Sequence, residues 1–199
     1  MTRLYLTRHG ETEWNRRHRF CGSTDIPINE LGRKQAAMLK ERLKDERVQR
    51  VYASPLIRAV ETAQIVFDTS GITRIPELSE IHFGAFEGLS VDEMKEQYKE
   101  IYHRWVRDPF STVIPQGETV EQVRGRVAGA MERIVAENPG QSIAVVAHGG
   151  VISIYLNYLL RENDFWHRVP RQTALTIIDF NAKDLQVRLI NDHSHLKDE

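Results

Sequence analysis

The chain has 199 residues, a formal net charge of −1, 41% hydrophobic and 28% charged residues. This describes an ordinary globular chain with one sizeable core and argues against nucleic acid or an acidic membrane surface as a bulk electrostatic partner. A single cysteine, Cys21, excludes an internal disulfide and fits a cytoplasmic location. The N-terminus lacks the pattern of a signal peptide. The most apolar stretch, Ile143 to Leu160, is interrupted by His148, Gly149, Gly150, Ser153 and Asn157. It is expected to be a strand followed by a helix rather than a membrane span.

In chain order, Arg3 to Thr7 is expected as a first strand, followed by a polar, turn-rich loop through Cys21-Gly22-Ser23-Thr24-Asp25-Ile26-Pro27. Asn29 is a good N-cap for a helix reaching about Asp45. Arg50 to Ala53 is a second strand. Ser54-Pro55 has the form of a helix start, with a capping hydroxyl and proline at the first helical position, for a helix carrying Arg58 and ending near Phe67. A third strand is expected near Arg74 to Glu77, then an irregular segment from Leu78 to Leu89. Ser90 with Glu93 and Thr119 with Gln122 are capping-box pairs opening two further helices. The second of these stops at Asn138-Pro139-Gly140. Ser142 to Ala147 is an unbroken apolar run of the parallel-sheet kind, and His148-Gly149-Gly150 turns it into a helix to about Leu160. Ala174 to Phe180 and Leu185 to Ile190, around Asn181-Ala182-Lys183-Asp184, complete an antiparallel hairpin.

Alternating strands and helices predict an α/β fold: a three-layer α/β/α sandwich around a mostly parallel sheet of about six strands, with an antiparallel edge. The whole chain, 1–199, is expected to be one domain with a small helical lid insertion at about 81–119. In such sheets ligands gather beyond the C-terminal strand ends. Arg8 and His9 follow the first strand, Arg58 the second, Glu80 the third and His148 the fourth. Two arginines, two histidines and a carboxylic acid would converge there. No short ligand pair of a zinc site is present, so a zinc site is not expected. The cluster is rich in cations suited to phosphate oxygens. Glu77, Glu87 and Glu118 compete with Glu80 for the acid role. His18, His82, His103, His167, His193 and His195 are taken as surface or structural groups, although the tail bearing His193 and His195 could reach the site. Trp105, with Arg104 and Arg107, is expected on a helix face, with a substrate contact as the alternative.

Arg8-His9-Gly10-Glu11-Thr12 with Asn15 resembles the signature of the histidine phosphatase superfamily, the phosphoglycerate mutase-like proteins. Residues 22–27, 54–63, 77–80 with 83–88, 117–119 and 148–150 resemble its further blocks, in family order. Ile28, Phe86 and Thr119 depart from the commoner residues without touching a charged position. The resemblance implies that His9 attacks phosphorus and becomes phosphohistidine, that Glu80 acts as acid and then base, and that Arg8, Arg58 and His148 hold the phosphoryl oxygens. His9 must be neutral to attack, and the neighbouring arginines favour that form. Asn15 and the backbone N–H of Gly149 would assist, and the loop at Cys21 and Gly22 would border the phosphate or substrate. The implied substrate is a small phosphate ester, and the implied chemistry needs no metal and no cofactor. The compact length, Glu80 to Gly84 and Phe165 to Val169 are similar to the α-ribazole phosphatase branch, which points to α-ribazole 5′-phosphate and cobalamin biosynthesis. Broad-specificity and phosphoserine phosphatases share most of these marks, and a phosphoglycerate mutase would use the same residues.

Overall fold

The computed structural model describes residues 1–181 and 184–196. Ala182 and Lys183, in the expected hairpin turn, lie outside them. In chain order the elements are β1 Thr2–Arg8, α1 Glu13–Arg16, α2 Glu30–Arg42, β2 Arg50–Ala53, α3 Ile57–Phe67, β3 Ile72–Arg74, α4 Val91–Gln97, α5 Lys99–Arg107 and α6 Val120–Ala136. They continue with β4 Ser142–Ala147, α7 Gly149–Leu160, α8 Phe165–Arg168, β5 Leu175–Phe180 and β6 Leu185–Asp192. Short 3₁₀ turns occupy Pro76–Leu78, Gly84–Phe86 and Ser194–Leu196.

The six strands form one sheet in the order β3-β2-β4-β1-β5-β6. β3, β2, β4 and β1 pair in parallel, whereas β5 runs antiparallel to both β1 and β6. The register Arg8↔Ala147 brings the ends of β1 and β4 side by side at the middle of the sheet. His9 and His148, the next residue on each strand, therefore emerge together.

Strand alternation sends side chains to opposite faces, and the core divides accordingly. Tyr5, Val51, Ala53, Ala144 and Val146 pack on Ala36 and Leu39 of α2 and Ala59, Ala63 and Val66 of α3. Leu4, Leu6, Ile143, Val145 and Ala147 pack on α6 and α7, through residues such as Val123, Val127, Ile134, Ile152 and Leu156. Leu78, Ile81, Phe83, Phe86, Met94, Trp105 and Ile114 belong to that second cluster. The segment read as a lid is thus packed into the main core. Asp179, buried on β5, pins this edge of the sheet between Arg3 and Arg188.

Four expectations need correction. The third strand is Ile72–Arg74, earlier than expected. Ile75 still donates to Ala53 O (2.9 Å), but Pro76, which has no N–H, opens a 3₁₀ turn and ends the ladder. Ser54-Pro55 does not cap a helix. α3 starts at Ile57 with Leu56 at the N-cap and no side-chain cap, and Ser54 Oγ instead accepts from Leu56 N (3.3 Å) inside the preceding turn. The loop after β1 contains the one-turn helix α1, because Thr12 and Asn15 cap each other reciprocally. Asn29 caps α2 as expected, accepting from Gly32 N at 2.8 Å, but that helix ends at Arg42 rather than near Asp45.

Candidate active site

β1 carries Arg8 and His9 to the sheet edge, where the chain turns against the start of α2. A Cβ on Gly10 would lie 2.5 Å from Gly32 O, so this close backbone approach requires glycine. Gly10 N donates to Thr62 Oγ1 (3.0 Å), which tethers the loop to α3.

His9 is buried, and its Nδ1 lies 2.7 Å from Gly10 O. A carbonyl only accepts, so Nδ1 carries the proton and Nε2 presents a lone pair. The His148 ring is 5.1 Å away, centroid to centroid. Arg58 Nε donates to His148 Nδ1 (3.2 Å), so the proton of a neutral His148 sits on Nε2, and that buried Nε2 has no hydrogen-bond partner among the described residues. Burial, then the charges of Arg58 and Arg8, pushes His9 well below the ordinary value of 6.5. Burial, then Arg58, His9 and Arg8, does the same to His148. The site thus contains a neutral imidazole able to attack beside one able to donate.

Arg58 is fully buried inside α3. It donates to Gly22 O (2.6 Å) and Thr24 O (2.8 Å) as well as to His148. Gly22 therefore serves the site through its carbonyl, by holding Arg58. Arg8 donates to Pro170 O (2.8 Å), and its buried Nε has no hydrogen-bond partner among the described residues. Among the described residues, the hydrogen-bond partners of these two guanidiniums are neutral groups. A fully buried cation such as Arg58, bonded only to neutral groups, is costly unless an anion completes it. The loop behind Arg8 is strained: Thr173, β-branched and buried, has φ 52° while its N–H donates to Arg8 O (3.1 Å). His195 Nε2 lies 3.1 Å from Thr173 Oγ1, so the tail reaches the support of Arg8. His193 contacts Asn191 O instead.

Glu80 is 7% exposed. Its Oε1 accepts from Ile81 N (2.9 Å) and Val151 N (3.1 Å), and Oε2 accepts from Gly150 N (3.0 Å). The first-turn amides of α7 are therefore directed in part to a protein carboxylate, as the helix dipole favours. Oε2 accepts fewer bonds and retains capacity for a proton. The competing carboxylates have structural partners. Glu87 accepts from Ser23, Thr24 and Phe83, and Glu77 pairs with Arg133. Burial alone would raise Glu87, but the hydrogen bonds from Thr24 and Ser23 outweigh it and hold the carboxyl below its ordinary range. Glu118 pairs with Arg126.

A cavity of about 360 Å³ opens over these groups, lined among others by Arg8, His9, Asn15, Cys21, Glu80 and Gly149. Asn15 turns its Oδ1 to Thr12, which leaves the amide end for the cavity. Burial pushes the Cys21 thiol up, so the residue is a poor nucleophile. The far wall is aromatic. Phe20 and Phe83 (5.1 Å), Phe83 and Trp105 (5.9 Å), Trp105 and Phe165 (5.5 Å), and Phe165 and Trp166 (5.0 Å) form a chain of edge-to-face contacts. Trp105 is buried in this wall rather than displayed on a helix face, and His18, taken as a surface group, borders the cavity. Among the described residues no three His, Cys, Asp or Glu side chains are grouped to hold a metal, and no helix is long and apolar enough to cross a membrane.

The neutral histidines give a testable stability profile. As pH falls through about 6.5 the unfolded imidazoles take up protons that folded His9 and His148 refuse. Their contribution is complete above that value and declines as pH falls toward their depressed folded values, by up to about 1.4 kcal/mol per pH unit per ring. Urea unfolding at pH 7 and pH 5 should show a smaller loss of stability for the His9→Asn/His148→Asn variant than for the parent. Equal losses would refute the assignment of neutral rings.

Parallel strands that bring Arg8, His9 and His148 to one end of the sheet, with Arg58 of α3 bonded to His148 and a hollow lined by Arg8 and His9, fit an α/β enzyme handling phosphoryl groups. The chain belongs to the histidine phosphatase superfamily (branch 1), whose profile matches residues 4–193, and it is a phosphatase. The metal-independent phosphoserine phosphatase of Arabidopsis thaliana is 38% identical over 162 residues, covering 78% of this chain and 68% of that protein. Bacillus stearothermophilus YhfR superposes with a TM-score of 0.93 at 32% identity, covering 98% of this chain and 99% of the other. A putative alpha-ribazole-5'-P phosphatase from Escherichia coli str. K-12 substr. MG1655 superposes with a TM-score of 0.88 at 30% identity, covering 96% and 97%.

Proposed function

We propose that the protein is a metal-independent phosphomonoester hydrolase acting through a phosphohistidine on a small phosphorylated metabolite. The observation carrying this reading is a neutral His9, with its Nε2 lone pair presented, beside a fully buried Arg58 and a half-buried Arg8 whose hydrogen-bond partners among the described residues are neutral. His9 Nε2 forms the bond to phosphorus while the bond to the ester oxygen breaks, and protonated Glu80 gives its proton to the leaving alkoxide. Water then attacks the phosphohistidine, Glu80 takes its proton, and the P–N bond breaks to return His9. Arg8, with Asn15 and the Nε2–H of His148, holds the equatorial oxygens as charge spreads over them. Arg58 holds the tautomer of His148 and completes the positive field. Gly149 leaves room beside Arg8, since a Cβ there would lie 3.3 Å from its guanidinium.

For the substrate, the aromatic wall favours an ester whose alcohol carries a flat apolar body, and α-ribazole 5′-phosphate meets that description. The charge of Arg19, which borders the cavity, is already paired with Glu93, so a charged amino-acid alcohol finds fewer partners. Phosphoserine is the second reading, favoured by the Arabidopsis relative. A mutase would return the phosphoryl group to its substrate instead of to water. Comparing kcat/KM for α-ribazole 5′-phosphate, phosphoserine, 3-phosphoglycerate and p-nitrophenyl phosphate decides among these. α-Ribazole 5′-phosphate is expected to lead, and a preference for phosphoserine or isomerisation of 3-phosphoglycerate would overturn that choice. Activity should survive EDTA. Loss that a divalent metal restores would overturn the metal-independent mechanism.

A further inference from the structure

Glu80 lies on neither a strand nor a helix. β3 ends at Arg74, and the chain reaches Glu80 through a 3₁₀ turn and two further residues. An acid that must meet a leaving oxygen within hydrogen-bond distance needs a more rigid mount than this. The mount is Arg126 of α6. Its Nε donates to Glu118 Oε1 (2.9 Å) and its Nη2 to Glu118 Oε2 (2.8 Å) and to Glu80 O (3.2 Å). Its Nη1 donates to Glu77 O (2.6 Å) and Ser79 O (2.7 Å). All five N–H groups of the guanidinium are thereby used, three of them on the carbonyls of the turn that ends at Glu80.

Glu118 closes the brace from the other side. Its Oε2 accepts from His82 N (2.9 Å), and its own N–H donates to His82 O (2.8 Å). The two loops stack backbone to backbone here, as a Cβ on Gly117 would lie 2.7 Å from His82 O. Glu80 is thus gripped twice: its main chain by Arg126, and its carboxylate by the amides of Gly150 and Val151.

We infer that Arg126, held by Glu118, is a positioning residue that sets the register of proton transfer by Glu80. This rests on the proposed role of Glu80 as general acid. Lysine has three donors on a single nitrogen and cannot reproduce a planar fork spanning a carboxylate and three carbonyls.

The test uses the dependence of rate on the leaving group. p-Nitrophenolate departs without a proton and an alkoxide does not, so a misplaced acid penalises alkyl phosphates selectively, whereas a general loss of structure slows both. For Arg126→Ala, kcat/KM for an alkyl phosphate should fall at least about tenfold more than for p-nitrophenyl phosphate, on the scale of a catalytic group displaced by about 1 Å. Arg126→Lys should show the same asymmetry, smaller, and serves if the alanine variant fails to fold. Placed on a Glu80→Gln background, Arg126→Lys should add little further loss for the alkyl ester, because both changes act on one proton transfer. Equal loss on both substrates, no loss, or full additivity with Glu80→Gln would overturn the inference. If Glu80→Gln itself shows no dependence on the leaving group, the underlying reading of Glu80 fails instead.

Discussion

Replacing His9 with alanine removes turnover while leaving the sheet and phosphate binding in place. kcat should fall on the order of 10⁴-fold or more, the scale seen when a covalent nucleophile is deleted. The other residues around the site do not compensate. His148 has its Nδ1 occupied by Arg58 and presents a proton, rather than a lone pair, on Nε2. Cys21 is held as a thiol by burial. The variant should still bind inorganic phosphate or vanadate, because Arg8 is anchored by Pro170 and Arg58 by Gly22 and Thr24 through hydrogen bonds that do not involve His9. Steady-state kinetics with anion titration reads both properties. Near-normal hydrolysis by His9→Ala would refute covalent catalysis at His9.

The second large effect is that of Glu80→Gln. Glutamine keeps the length and an acceptor for Ile81 N and Val151 N, but sets an NH2 group against the N–H of Gly150 and carries no transferable proton. kcat/KM for alkyl phosphates should fall about 10²- to 10⁴-fold, the usual contribution of a positioned acid. The loss for p-nitrophenyl phosphate should be much smaller. A uniform loss across leaving groups would point to distortion at the N-terminus of α7 rather than to loss of an acid.

The parts of the site that were legible in the sequence sit at strand ends. Arg8-His9 and Ala147-His148 follow apolar runs whose burial fixes their direction, so position in the chain determines position in space. Glu80 was read both from the end of the third strand and from family resemblance, and the strand-end reading rested on misplaced bounds. The expected strand stopped at Glu77, whereas the real one stops at Arg74 and the remaining distance is covered by a turn starting at Pro76. The brace was missed because it joins distant segments. Arg126 occupies an ordinary helical position, and Glu118 reads as a loop carboxylate until both meet the carbonyls of Glu77, Ser79 and Glu80. Ser54-Pro55 misled for a local reason: the hydroxyl serves the turn before α3, and the helix starts two residues beyond the proline. Trp105 was ambiguous because its helix has charged neighbours on both sides, and only packing against Phe83 and Phe165 makes it part of the cavity wall.

The central claim is that the phosphoryl group passes through His9 before it reaches water. Each in-line displacement inverts configuration at phosphorus, so two of them restore it. Hydrolysis of a phosphorothioate monoester made chiral at phosphorus by its sulfur and two oxygen isotopes, in water carrying the third isotope, reads the sum directly. Two displacements through His9 predict net retention in the inorganic thiophosphate released; net inversion would mean that water attacks the ester directly and that no phosphohistidine lies on the path.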